Sequence, residues 1–229
     1  MKKLLLSLLL LGFALTNYAQ DAKKSFPLIG FDKLDIGSAF NIMVKQSNEF
    51  RVSARGQQDD IEDLIAKVEN GELKIYFHHT DSRNWKNRKT IYIDIEMPDL
   101  KSAEFSGASK SKVFGFHSDV LNITVSGASS STFDLDAKNL NADCSGASSM
   151  VLIGKGQKAN FEVSGASNIN ALDFDIDTAN VSASGASSSK LNVGKSLTVD
   201  ASGASSVKYV GDASVRAKTS GASSVKRVN

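Results

Sequence analysis

The sequence predicts an all-β fold, a single-domain parallel β-helix with 18–20 residues per turn. Three observations predict it. First, Ser-Gly-Ala-Ser occurs seven times, with glycines at Gly107, Gly127, Gly146, Gly165, Gly185, Gly203 and Gly221, spaced 20, 19, 19, 20, 18 and 18 residues apart. Second, the residues before each glycine alternate. Two positions back stand Phe105, Val125, Cys144, Val163, Ala183, Ala201 and Thr219; four back stand Ala103, Ile123, Ala142, Phe161, Val181, Val199 and Ala217. Six back stand Lys101, Leu121, Leu140, Ala159, Ala179, Leu197 and Val215, and polar residues such as Asn122, Thr124, Asn141, Asp143, Asn160 and Glu162 lie between these columns. Period-two alternation marks a strand with one buried face. Third, the only prolines are Pro27 and Pro98. A coil whose strands are paired on both sides excludes proline, which would delete a ladder hydrogen bond.

Other repeat architectures fit less well. A flexible Gly/Ser linker has no reason to alternate. Leucine-rich repeats need several leucines per unit, and a left-handed hexapeptide helix needs multiples of six. Parallel crossovers favour the right-handed form. Glycine suits the bend of each turn, alanine fits inside a tight corner, and the serines can bond locally or to the next turn.

The elements follow in order. "MKKLLLSLLLLGFALTNYAQ" has a charged start, an apolar run and Ala19 at a cleavage point, so residues 1–19 read as a secretory signal peptide. The run is too short to span a bilayer, and no longer one follows. Residues 20–30 are a leader, and residues 31–229 form the β-helix domain, with irregular turns over 31–99 and the seven motif turns over 100–229. "FDKLDIGSAFNIMVKQ" reads as two strands around a Gly37-Ser38-Ala39 bend, a blurred copy of the motif. "FRVSA", "ELKIYF" and "KTIYIDIEMP" alternate as strands. Ile61, Leu64, Ile65 and Val68 fall at helical spacing after Asp59, Asp60, Glu62 and Asp63, which predicts a short amphipathic helix capping the coil. No cap follows the last motif at "SVKRVN", so the last turn could stack on a second copy.

Cleavage after Ala19 removes Lys2 and Lys3, leaving 25 basic and 25 acidic residues. A net charge of zero argues against a general polyanion binder and against nucleic acid as a partner. The single cysteine, Cys144, allows no internal disulfide.

"FDKLDIGSAFNIMVKQ", "LIAKVENGELKI", "IYIDIEMPDLKSAEFSGAS" and the repeated Ser-Gly-Ala-Ser together resemble the head GIN domain family, whose members are called autotransporter adhesins and are frequent among exported proteins of Bacteroidota. The resemblance runs from Phe31 to the last repeat. It implies a β-helix-like domain at the cell envelope and brings no catalytic residues with it.

The candidate sites are few. Cys144 falls in an inward column, where a free cysteine behaves as a small hydrophobe, so no catalytic residue is assigned. Asp143 and Glu162 share an outward column on adjacent turns, and paired carboxylates can do acid/base work or hold calcium. Asp173, Asp175 and Asp177 share one face of "LDFDIDT", again with calcium as the cation they could hold. No other cofactor is expected. "HHTDSRNWKNRK" carries Trp85 among Arg83, Lys86 and Arg88, where an aromatic flanked by cations can stack on a sugar ring or meet an anion. The expected function is a non-enzymatic envelope or surface protein, in the periplasm, on the cell surface or outside the cell, binding glycan or a protein partner. The competing readings are a polysaccharide lyase or hydrolase and a self-associating structural module.

Overall fold

A computed structural model describes residues 21–78 and 88–228. The alternation folds as expected into a parallel β-solenoid of about seven turns. Its middle consists of five long strands, one per motif repeat: β9 (Lys110–Val125), β10 (Ser130–Cys144), β11 (Ser149–Val163), β12 (Asn168–Ala183) and β13 (Ser188–Ala201). Each begins after one motif corner, bends halfway, and ends before the next corner. Neighbours pair in parallel, so Leu121, Leu140 and Ala159 stack in one column and Val125, Cys144 and Val163 in another. These columns form the core, with Phe133, Phe161 and Phe174 filling the interior. Burying apolar area contributes roughly 25 cal/mol per Å2, which makes these columns the main source of stability in a chain without disulfides.

The first turns are not stacked in chain order. After β1 (Ala22–Phe26), the strands β2 (Lys33–Ile36) and β3 (Phe40–Gln46) make one rung. The chain continues through β4 (Arg51–Gly56), α1 (Gln58–Glu62), β5 (Leu64–Glu69), β6 (Glu72–Phe77), β7 (Ile91–Met97) and β8 (Ser102–Phe105). β2 lies between β6 and β8, and β3 between β7 and β9. The β6–β7 rung is therefore outermost. It is closed by antiparallel strands: β5 on β6, β4 on β7, and β1 on β4. At the other end, β14 (Ser206–Val210) and β15 (Ser214–Thr219) both lie on β13, and β16 (Ser224–Arg227) lies on β14. In this last rung Ala217 and Thr219, assigned to inward columns, are exposed, because no further described strand covers them.

The expected helix is corrected in extent. It covers Gln58–Glu62 only, burying Ile61, while Leu64, Ile65 and Val68 belong to β5. Leu64, Ala66 and Val68 also alternate, and they stand opposite Phe77, Ile75 and Leu73 of β6. An open strand edge is a stronger demand than helical spacing in a short stretch. Lys24 Nζ donates to the Ile61 and Leu64 carbonyl oxygens at 3.4 and 3.2 Å, tying the helix end to β1.

The motif corners carry a second correction. The motif alanines face outward and are exposed, whereas the second serine of most motifs, such as Ser148 at 1% exposure, is buried. The Ser148 hydroxyl donates to the Ser145 carbonyl at 2.7 Å, and the Ser109 and Ser129 hydroxyls meet at 3.1 Å. The serine hydroxyl closes the turn from inside, so the small side chain sits outside.

Candidate functional site

The mid-turn bends of β9 to β13 lie on the opposite edge of the solenoid from the motif corners. There the surface forms a groove of about 1020 Å3 crossing successive rungs. Its floor is small or apolar: Ser118, Ala137, Gly156 and Ile176. A Cβ on Gly156 would lie 2.9 Å from the Ala137 carbonyl oxygen and 3.0 Å from the Phe174 ring, so the floor at this point admits nothing larger than glycine.

Two ladders of side chains flank this floor. In one, His117, Asp136, Lys155, Asp175 and Asn192 follow one another on adjacent strands. His117 Nδ1 stands 3.3 Å and Lys155 Nζ 3.7 Å from the Asp136 carboxylate, and the Asn192 amide donates to Asp175 at 2.7 Å. In the other, Lys138 pairs with Asp119 at 2.6 Å and Lys195 with Asp177 at 3.0 Å. The hydrogen bond to Asp119 raises the Lys138 pKa above its ordinary value. Exposed pairs of this kind add little stability, typically about 0–1 kcal/mol. Their arrangement instead offers alternating donors and acceptors at the rung spacing of about 4.8 Å. The named carboxylates already hold cations or amides, which fits binding better than proton transfer.

The residues singled out from sequence fall in three places. Asp175 and Asp177 line the groove; Asp173 is exposed just before it, where the pairing of β12 with its neighbours shifts. Asp143 and Glu162 are indeed adjacent, on the flat face beyond the bend, in a column that runs Asp35, Glu104, Thr124, Asp143, Glu162, Ser182, Asp200 and Lys218. Beside them is a shallow depression of about 240 Å3. Burial holds the Glu104 carboxyl above the usual range, with Asp35 and Glu72 adding to the shift. Among the described residues no three His, Cys, Asp or Glu side chains gather as a metal site would require. Arg88 reaches inward: it pairs with Asp63 at 2.5 Å and lies over the Phe77 ring at 3.5 Å. Arg83, Trp85 and Lys86 lie outside the described residues. Cys144 is fully buried, and desolvation pushes its thiol up to about 11, which leaves it inert as a nucleophile.

The groove ladders went unread in the sequence, although a signal was there. Counting ten residues back from successive motif glycines gives His117, Asp136, Lys155 and Asp175; eight back gives Asp119, Lys138, Gln157, Asp177 and Lys195. The recurrence of charged and polar side chains down those columns marks the groove.

No curated protein matches the chain. Solved structures do. A "putative adhesin" from Bacteroides fragilis NCTC 9343 superposes with a TM-score of 0.80 at 22% identity, over 91% of this chain and 97% of that one. A "putative adhesin" and a "putative lipid binding protein", both from Parabacteroides distasonis ATCC 8503, give TM-scores of 0.71 and 0.69 at 15% and 17% identity. They cover 92% and 93% of this chain and 98% of each of theirs. At such identities the likeness is one of fold. The family model for "Putative auto-transporter adhesin, head GIN domain" matches residues 30–213, and the chain belongs to that family.

Proposed function

We propose that the chain is an exported, non-enzymatic binding protein of the cell envelope or surface, and that its mid-turn groove takes a glycan chain. The observation that carries this reading is the groove itself: a continuous floor of small or apolar residues between two ladders of charged and amide side chains that cross successive rungs. A polymer lying across the rungs can meet a donor and an acceptor in turn on successive rungs. Because the charges are largely balanced in pairs, the best-suited ligand is uncharged or carries both signs. Export is supported by the signal-like residues 1–19 and by the adhesin description of the family. Among the described residues no helix is long and apolar enough to cross a membrane.

The segment with Trp85, Arg83 and Lys86 is a second candidate contact. Its ends, Phe77 and Ile91, stand at the corner that Gly37–Ala39 make in the next rung, far around the turn from the groove. A glycan array probed with the wild type, Asp136→Ala/Lys155→Ala and Trp85→Ala separates the two. Groove binding predicts a loss of about tenfold or more in the double variant, roughly 1.4 kcal/mol, with Trp85→Ala unchanged. Equal binding by the wild type and the groove variant, or silence of the wild type, sinks the groove assignment.

A further inference from the structure

Charge is segregated along this solenoid although the processed chain is neutral. Residues 188–229 contain seven basic side chains (Lys190, Lys195, Lys208, Arg216, Lys218, Lys226 and Arg227) and two acids (Asp200 and Asp212), a net charge of +5. Residues 21–187 contain 18 basic and 23 acidic residues, a net charge of −5. Of these two stretches only the last rungs carry a net basic excess.

The geometry of those rungs sharpens the point. Lys190 pairs in register with Lys208, and Lys208 with Lys226, so three lysines stack in one outward column on adjacent parallel strands. All three are exposed. Adjacent rungs lie about 4.8 Å apart, and like charges directly opposite one another destabilise a sheet. The two acids of this end are engaged elsewhere: Asp212 accepts from Arg227 at 2.6 Å, and Asp200 stands in register with Lys218 on the other face. Lys195 is paired with Asp177. Two residues before each lysine, Ser188, Ser206 and Ser224 form a parallel column of hydroxyls on the same face.

We propose that this Lys190–Lys208–Lys226 ladder, with its serine column, binds an acidic polysaccharide bearing about one carboxylate per sugar ring, lying along the solenoid axis. A row of ammonium groups set one rung apart is matched by a chain that presents one anion per ring at a similar interval. The adjacent hydroxyls supply hydrogen bonds to the ring oxygens. This surface is on the flat face before the bend, apart from the groove.

The test measures binding of the purified protein to polygalacturonate at low salt, against dextran and against vesicles of phosphatidylglycerol and phosphatidylethanolamine. It includes Lys190→Gln/Lys208→Gln/Lys226→Gln and a charge-matched control outside that column, Lys23→Gln/Lys45→Gln/Lys158→Gln. The expected result is binding to polygalacturonate that added salt weakens. It should fall about tenfold or more in the ladder variant, in line with the loss of three exposed ion pairs. The control should stay within about twofold. The ladder variant should melt no lower than the wild type, because it removes a repulsion. Absence of wild-type binding, equal losses in both triple variants, or binding to vesicles without binding to polygalacturonate would each overturn the proposal. Asp136→Ala/Lys155→Ala should leave polygalacturonate binding intact, so failure here and failure of the groove reading are told apart.

Discussion

At Gly146 the chain turns with φ at +80°, and a Cβ there would lie 2.5 Å from the carbonyl oxygen of Gly127 one rung below. That carbonyl accepts the Ala147 amide at 2.8 Å, so the contact cannot open without losing a ladder bond. Gly146→Ala should cost about 3 kcal/mol or more, the left-handed penalty of roughly 1–2 kcal/mol plus the backbone clash. The blurred first copy of the motif tests the same idea in reverse. Ile36 pairs with Phe105, so Ser38 occupies the place that Gly107 holds in the next rung, and its φ is +91°. Ser38→Gly should stabilise by about 0.5–1 kcal/mol in chemical denaturation, and a loss of stability would show that the serine side chain is needed there. Cys144 gives a pH signature. Its pKa is raised by burial from 9.0 to about 11. The folded state then keeps a proton that the unfolded state releases, so this contribution is intact below pH 9 and is lost as pH rises through 11. Compared with Cys144→Val, the wild type should lose about 1.4 kcal/mol per pH unit across that window, and parallel curves for the two would contradict it.

The repeat spacings of 18 to 20 residues need a place to absorb the difference, and the strand pairings show where. Register shifts fall between Asp134 and Asp136, Val151 and Ile153, Ala171 and Asp175, and Ile176 and Thr178. They fall in the bend or in the stretch of strand leading up to it, whereas the Ala-to-Gly amide bonds of the motif corners recur from rung to rung at 2.7–2.8 Å. An alanine inserted between Gly194 and Lys195, where both residues are exposed, should therefore lower the melting temperature by only a few degrees. The same insertion between Gly185 and Ala186 should disrupt the stacked corner and unfold the domain or nearly so. If thermal melts of the two insertions coincide, the bend is not the tolerant element. This division also explains what was legible in the sequence. Columns counted back from the glycine hold as far as the ladder of His117, Asp136, Lys155 and Asp175, so the core and corner could be read directly. Beyond that point bulges break the count, and the groove depends on how the bent strands stack. Helical spacing extends α1 too far because Leu64 and Val68 satisfy both periodicities, and only the β6 edge decides between them. The outward alanines are not legible in the sequence, because either small residue of the corner fits inside and only the hydrogen bonds of the serine hydroxyl turn it inward.

A solenoid holds together through contacts between neighbouring rungs, so its stability varies along its axis rather than being shared equally. The middle rungs, β10 to β12, are paired on both sides along most of their length and bury Leu140, Phe161 and Phe174 completely or nearly so. The β6–β7 end has no parallel rung on its outer side, but β5, β4 and β1 cover it with antiparallel pairs and α1 buries Ile61 beside them. The opposite end has no such cover among the described residues. β15 pairs only with β13, β16 only with β14, and Val215 and Val225 are just partly buried. Amide exchange reports the free energy of local opening, which ranges from near zero at frayed ends to the global value in the core. Exchange should be fastest in Ser214–Thr219 and Ser224–Arg227, slower in β5 and β6, and slowest in β10 to β12. The basic residues of this exposed end, Arg216, Lys218 and Lys226, discourage antiparallel pairing of two copies by repulsion, so the gradient should not change with protein concentration. Protection of Ser214–Thr219 that grows with concentration would show instead that a second copy covers the edge.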